Sequence, residues 1–389
     1  MATTTKKTKK ANNLYAGFKL PENGITAHFP VRHLSEPLVK WYRKHCIPYP
    51  WRINWSRHQN PYHVWLSEIM LQQTLIKVVV PIYQRFLDTF PDVFSLAQAT
   101  ENNIRQEVRG LGYYRRFALL HKASQHLVQN HTINIAGCKK IDWPTNYQAL
   151  KMLPGIGDYT AAAISSICFS EPTPVVDGNV ERVLCRLFDL RVPSNLPKLK
   201  KIFFNFLSEA ICSKSPGDFN QGIMELGQHI CTPQNPSCHQ CPLAKLCLAY
   251  KKHSQDYAPA PKLRKAVENI EMRLHIIRHK NKIAILPRSP NAKFLKNTAG
   301  FLTSIKKSTK EIFDGYPKLK VAESPLHIGK IKHNITNHKI KADVCLITVN
   351  SFNQIPNIDW TSPAQVERKL ISNLDRKAWK LLINSSKWQ

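Results

Sequence analysis

Apolar residues recur at helical spacing along most of the first 250 positions, and strand-like runs appear only beyond residue 266. Leu34 to Tyr42 gives the first helical stripe. The segment from Tyr49 starts as a loop and turns helical at Asn60-Pro61, where Asn suits the cap and Pro the first turn. Helical segments continue through residues 79–127, broken by the glycine-flexed stretch Gly110-Leu111-Gly112-Tyr113-Tyr114. A further stripe, Tyr147, Leu150 and Leu153, stops at Pro154-Gly155, and a new helix starts after Gly157 and runs through Ile164 and Ile167 towards Pro172. Val175-Val176 then delivers Asp177-Gly178-Asn179 in front of a helix whose apolar face is Val180, Val183, Leu184 and Leu187. Residues 198–230 read as helical too.

The pattern changes after that. Residues 250–265, YKKHSQDYAPAPKLRK, mix Pro, Ala and charge without periodicity and read as a linker. MRLHIIRH, KIAILPR and KADVCLITV then read as strands and ERKLISNLDRKAWKLL as a terminal helix, which predicts an α+β domain. The expected organisation is a basic arm over 1–28, a mainly α-helical domain over 29–249, a linker over 250–265 and the smaller α+β domain over 266–389. With 389 residues, 43% of them hydrophobic, the chain can fill two cores.

Charge narrows the partners. Lys and Arg outnumber Asp and Glu 56 to 26, a net +30, which favours nucleic acid or an anionic membrane surface. No segment is long and apolar enough to span a bilayer as a helix. The N-terminal MATTTKKTKKANN lacks an apolar core, so a flexible basic arm is expected in place of a secretory signal, with a cytoplasmic, nucleoid-associated location.

Three places carry candidate chemistry. The glycine corner at Gly155 and Gly157 opens a helix, whose free amides form an anion site that a phosphate can approach closely; it is a DNA-gripping helix-hairpin-helix or an ordinary helix-helix turn. Asp177 opens the next helix, where the dipole favours a carboxylate; it stabilises a developing cation or is a plain cap. Glu68 has Val64, Trp65 and Leu71 as helical neighbours. Desolvation there raises a carboxyl pKa and makes a general acid, whereas most helical glutamates are simply solvated. Six of the ten cysteines are scattered, but Cys231, Cys238, Cys241 and Cys247 follow a C-x6-C-x2-C-x5-C run. Four thiolates bind zinc or a [4Fe–4S] cluster.

Together, the hairpin, the VVDGN turn, WLSEIMLQQT and GLGYY resemble the adenine DNA glycosylases of the MutY type, and the cysteine spacing resembles the iron–sulfur loop of those enzymes and of endonuclease III. The resemblance covers about residues 30–250 and, by pattern alone, extends to a Nudix-like C-terminal domain. It implies a monofunctional glycosylase of base excision repair that removes adenine opposite 8-oxoguanine or guanine in double-stranded DNA, acting as a monomer with a [4Fe–4S] cluster on the four cysteines. Glu68 would protonate adenine and Asp177 stabilise the sugar cation, supported by Tyr159 and Asn179. Trp51, Arg52 and Gln221 would wall the base pocket, Gln73 would fill the gap left by the extruded base, and Tyr113 would intercalate. An endonuclease III-like glycosylase/lyase and a non-catalytic binder of damaged DNA are the alternatives; the first carries a catalytic lysine where this chain has Tyr159, and retention of both Glu68 and Asp177 argues against the second.

Two departures stand out. Glu181 is acidic where relatives often carry Lys or Arg. The Phe-Ser-His loop that reads 8-oxoguanine in MutY-type enzymes corresponds to Ile335, Thr336 and Asn337, with His338 one place later. The glutamate-rich metal helix of hydrolysing Nudix enzymes is absent from the sequence, so this domain is expected to bind and not to react.

Overall fold

The computed structural model describes residues 31–194, 196–261, 267–296, 298–307, 310–314, 324–335, 337–350 and 357–388. The arm 1–28 and Thr336 lie outside the described residues. The chain divides into two compact units, Met1–Leu263 and Arg264–Gln389.

The first unit is helical and holds two apolar cores. One gathers Trp65, Tyr83, Phe86, Phe117 and Leu120, and the other gathers Leu34, Leu38, Phe203, Phe206 and Phe219. The Asp158–Phe169 helix serves both: Ala161 and Ile164 face the first core, Ala162 and Ala163 the second. Its run of small residues permits close approach, and Gly217 comes so near that a Cβ there would stand 2.9 Å from Ile167 Cα.

Between residues 79 and 127 the chain forms the helices Ile76–Thr89, Val93–Gln98, Glu101–Glu107 and Arg115–Asn130. Strands β1 (Thr132–Ile135) and β2 (Cys138–Ile141), which the sequence did not announce, pair as an antiparallel hairpin. The helical reading of 198–230 divides into Pro197–Ala210, Pro216–Glu225 and a π-helical turn Leu226–Ile230, because Pro216 restarts the helix.

The linker reading is corrected over its first part. Ala258 is buried, Arg186 donates to the carbonyls of Gln255 and Ala258 at 2.9 Å each, and Ala260 N–H bonds to the Val192 carbonyl. Residues 250–261 therefore pack onto the first unit, their backbone acceptors taken by a buried guanidinium.

In the second unit β3 (Glu268–His279) is the hub. It pairs antiparallel with β4 (Lys282–Pro287) and β6 (Leu302–Lys307), and in parallel with β9 (His338–Thr348). Around them lie β5 (Ala299–Gly300), β7 (Lys310–Phe313), β8 (Leu326–Ile335) and β10 (Asp359–Thr361). The anticipated terminal helix is two, Pro363–Lys369 and Asn373–Ile383, since Ser372 caps the second by accepting from Asp375 N–H. Leu374, Ala378, Trp379 and Leu382 bury that helix against Ile276, Ile283 and Leu346 of the sheet. Arg288 and Asp375 form a buried ion pair at 2.7 Å, whose carboxylate also takes Phe301 N–H and the Ser372 hydroxyl. The two buried charges are thereby paired and further hydrogen-bonded.

Candidate active site

Glu68 lies on the Pro61–Leu71 helix, whose start follows the sequence reading: Asn60 accepts from Tyr62 N–H, and Pro61 occupies the first turn. Ten consecutive residues of this helix, Pro61 to Met70, are buried, so Glu68 has no solvated face to turn to. Burial pushes its carboxyl pKa up to about 7, with the Asp177 charge adding to the rise and a Tyr159 hydrogen bond and Arg52 opposing it.

Asp177 caps the Gly178–Leu187 helix. Its Oδ1 accepts from the backbone amides of Asn179 at 3.0 Å and Val180 at 2.8 Å, and Oδ2 accepts from Asn179 Nδ2 at 3.1 Å. Asn179 is held in turn by Arg182, whose Nη2 donates to Asn179 Oδ1 and to the Gly227 carbonyl while Nε donates to the Cys231 carbonyl. Gly227 lets this contact form, since a Cβ there would meet Asn179 Cβ at 2.8 Å.

These groups meet in one cavity of about 660 Å3, within the usual range for small-molecule sites of about 300–1,000 Å3. It gathers Glu68, Asp177, Tyr159, Asn179, Trp51, Arg52 and Gln221, so all seven residues assigned to catalysis or the base pocket line the same space. Trp51 stacks on Tyr49 with centroids 4.9 Å apart and meets Tyr83 edge-on. Arg52 donates to Gln221 Oε1 at 3.0 Å and pairs with the buried Glu225. Glu225, Met224 and Arg182 also line the cavity and were not picked out from sequence. Glu225 had a signal, standing one helical turn beyond Gln221; Met224 and Arg182 had none.

Gln73, Tyr113, Gly155 and Gly157 do not line the cavity. Gln73 and Tyr113 are exposed and hold left-handed backbones, φ +56° and +47°. Their loops are tied together by the buried Arg116, which donates to the carbonyls of Met70, Gln72 and Leu111 and to Thr74 Oγ1. At the hairpin only Gly155 is left-handed, φ +81°, and a Cβ on it would stand 2.6 Å from Leu119 Cβ. Gly157 is extended, φ −97°, and a Cβ on it would meet nothing within 4 Å, so of the two corner glycines only Gly155 is required by its backbone.

Cys231, Cys238, Cys241 and Cys247 line a second, small cavity of about 30 Å3 together with Val183, Leu187, Leu226 and Leu243. Arg186 Nη1 donates to Cys231 Sγ at 3.3 Å and to the Thr232 carbonyl, and Nη2 donates to the Pro233 carbonyl. Among the described residues no group of three or more His, Cys, Asp or Glu side chains is placed to hold a single metal ion. The donor set is four sulfurs ringing an apolar space with a cation at one sulfur, which fits a thiolate-bound cluster carrying negative charge.

In the second unit Ile335 and His338 are paired neighbours closing the β8–β9 hairpin. His338 Nε2 stands 3.2 Å from Glu268 Oε2, its Nδ1 3.2 Å from the Ile335 carbonyl, and its ring packs edge-on against Phe294. The Asn337 carbonyl accepts from Glu268 N–H at 3.0 Å.

Such a fold and site define a class. Residues 66–202 match the HhH-GPD superfamily of base excision DNA repair proteins, and residues 231–247 match the iron-sulfur binding domain of endonuclease III. An adenine DNA glycosylase from Buchnera aphidicola subsp. Schizaphis graminum is 32% identical over 263 residues, 68% of this chain and 72% of the relative. The chain belongs to the adenine DNA glycosylase family. The cofactor this membership implies is a [4Fe–4S] cluster. A Schizosaccharomyces pombe adenine DNA glycosylase is 37% identical over 226 residues, 57% of this chain but 47% of the relative, so the matched region spans less than half of that protein. A thermostable thymine-DNA glycosylase of known structure aligns over 56% of this chain and 94% of its own, with 25% identity and a TM-score of 0.47. Among the described residues no helix is long and apolar enough to cross a membrane.

Proposed function

We propose that this protein excises adenine from double-stranded DNA in which adenine stands opposite 8-oxoguanine or guanine. The observation that carries the reading is the pairing of a buried Glu68, its pKa near 7, with the helix-capping Asp177 on the wall of one cavity. Two carboxyl groups with different environments divide the roles of acid and cation stabiliser.

The extruded base enters between Trp51, Arg52 and Gln221. Glu68 gives its proton to adenine N7, the bond from C1′ to the base breaks with its electrons leaving on adenine, and the sugar oxocarbenium forms beside the Asp177 carboxylate. Water then adds through its oxygen to C1′ and gives up a proton to the Glu68 carboxylate, which restores the acid and leaves an abasic site. Asn179 orients Asp177, and Arg52, held by Glu225 and Gln221, fixes the pocket wall. Tyr159 offers no amine for a Schiff base, so the product is the abasic site and not a cleaved strand.

Gly155, Gly157 and the first-turn amides of the next helix grip a phosphate. Gln73 and Tyr113, exposed on loops fixed by Arg116, enter the duplex where the base has left; stacking of this kind is worth about 1–3 kcal/mol per base. Cys231, Cys238, Cys241 and Cys247 hold the cluster, which supplies a structural staple for residues 231–247. The second unit is a Nudix-like domain that reads the base opposite adenine, and the protein acts as a monomer. Single-turnover excision of adenine opposite 8-oxoguanine, guanine and cytosine tests the reading. Release of adenine on the first two, without borohydride-trapped adducts, supports it; duplex binding without base release overturns it.

A further inference from the structure

Tyr159 has one hydroxyl proton and two neighbours that want it. The hydroxyl stands 3.0 Å from Met224 Sδ, in donor geometry, and it lines the same cavity as the Glu68 carboxyl, whose ionised form it favours as a donor. A thioether sulfur is a weak acceptor and a carboxylate a strong one. The ionised form of Glu68 therefore takes the proton from the sulfur. The neutral acid accepts more weakly and gains a second arrangement, in which its own O–H donates to the tyrosine oxygen and the tyrosine proton goes elsewhere. In this buried site a hydroxyl proton without an acceptor is unfavourable, and Met224 Sδ is the acceptor within reach.

We propose that Met224 is a positioning residue for the acid: by accepting the Tyr159 proton it turns a tyrosine oxygen lone pair towards Glu68 and selects the protonated carboxyl. The proposal deepens the adenine-excision reading and rests on it. Met224 lies on the Pro216–Glu225 helix, three residues beyond Gln221, and is itself buried. Leucine or isoleucine would fill the space without offering a lone pair.

Other groups act on Glu68 as well and set the background. Asp177 favours its neutral form, and Arg52, itself neutralised by Glu225, favours the charged one. Cys168, from the Asp158–Phe169 helix, carries no charge near neutral pH because burial raises its thiol. Arg182, His229 and Lys77 line the same cavity from other elements. Asp177 also acts on Tyr159 by its charge, but all of these groups are kept in every variant compared, so a change at Met224 isolates the sulfur's part.

The test is the pH profile of single-turnover adenine release by the full-length, cluster-loaded protein. Wild type, Met224→Leu, Tyr159→Phe and the double variant are compared, with Met224→Ile in reserve if the leucine variant does not fold. Without the sulfur, Tyr159 donates to the Glu68 carboxylate, and the descending limb of the profile moves to lower pH. We expect a shift of about one unit, equivalent to about a tenfold loss of rate above the midpoint with recovery in acid. In the Tyr159→Phe background the Met224 substitution should leave the midpoint in place, and Met224→Gln, which restores an acceptor, should keep the wild-type midpoint. An unmoved midpoint in Met224→Leu, or a shift that persists without the Tyr159 hydroxyl, overturns the proposal while wild-type excision leaves the functional reading standing. Wild-type protein that releases no adenine removes both.

Discussion

Arg182 joins Asn179 to the cysteine loop: the same guanidinium that donates to Asn179 Oδ1 at 3.0 Å donates to the Cys231 carbonyl at 2.8 Å. Asn179 in turn holds Asp177 Oδ2. Asp177, the proposed stabiliser of the sugar cation, is therefore oriented by a chain of three hydrogen bonds that ends on the first cysteine of the run.

The first prediction follows from that chain. Hydrogen bonds to charged groups contribute about 1.5–3 kcal/mol each, and the loss of Arg182 removes one of the two side-chain bonds that hold Asn179. Arg182→Ala should lower single-turnover adenine release by about tenfold or more, and removal of iron from the wild type should do the same by loosening Cys231. Absorbance near 400 nm, read with the rates, separates the two routes. An iron-free protein with full activity would show that the loop does not support Asp177.

Glu68 gives the second. Its native pKa of about 7 lies above the ordinary 4.5, so the native state keeps a proton that the unfolded chain loses. Stability is highest below pH 4.5, as far as this group is concerned, and falls as pH rises from there to about 7. The full effect is about 3 kcal/mol. Glu68→Gln removes the titration. It should abolish excision at every pH, bind duplex as wild type does, and in urea unfolding lose less stability than wild type between pH 5 and pH 8. Equal pH dependence in the two proteins would mean that Glu68 is not a buried acid.

The sequence exposed Glu68 and Asp177 because their settings are local. An Asn-Pro start fixes the register of one helix, and a capping position fixes the other. The π-helical turn Leu226–Ile230, Arg182 and Met224 escaped because their partners lie 45 to 65 residues away, where no periodicity records them. The packing of residues 250–261 escaped for the same reason: the guanidinium that orders them is Arg186. In the second unit long apolar runs such as β9 were legible. The short β5 and β7 were not, because register with their neighbours, β4 and β6, defines them.

Gly155 and Gly157 make a third prediction by their difference. Alanine at 155 must adopt φ +81° and push on Leu119, at a cost of about 1–2 kcal/mol for the backbone alone. Gly155→Ala should therefore lower the Tm. Gly157 has an ordinary extended backbone and open space around it, so Gly157→Ala should melt like wild type yet bind duplex more weakly, its methyl group standing where a phosphate approaches. Undiminished affinity in Gly157→Ala, measured at fixed salt, would remove the phosphate grip from this corner.

The last prediction concerns the base opposite adenine. In the MutY-type loop a histidine occupies the position of Asn337, and His338 follows one place later. A one-residue shift would let His338 take over, but that histidine has other attachments: Glu268 at 3.2 Å, the Ile335 carbonyl at 3.2 Å and the edge of Phe294. It is also paired with Ile335 at the end of the β8–β9 ladder, and slipping the strand by one residue would turn every β9 side chain to the opposite face, Ile340, Ala342 and Val344 of the core included. The register therefore holds, and under the proposed function the residue at the histidine's position is Asn337, with a shorter side chain and a different donor geometry. One good bidentate base contact is worth about 1–3 kcal/mol of discrimination. Its loss makes excision opposite guanine approach that opposite 8-oxoguanine. Rates on the two mismatches should differ little in the wild type, and Asn337→His should raise the 8-oxoguanine preference by about tenfold. His338→Ala should lower stability and leave the ratio of rates unchanged. A strong wild-type preference for 8-oxoguanine that disappears in His338→Ala would show that the histidine has left Glu268 and Phe294 to read the base itself.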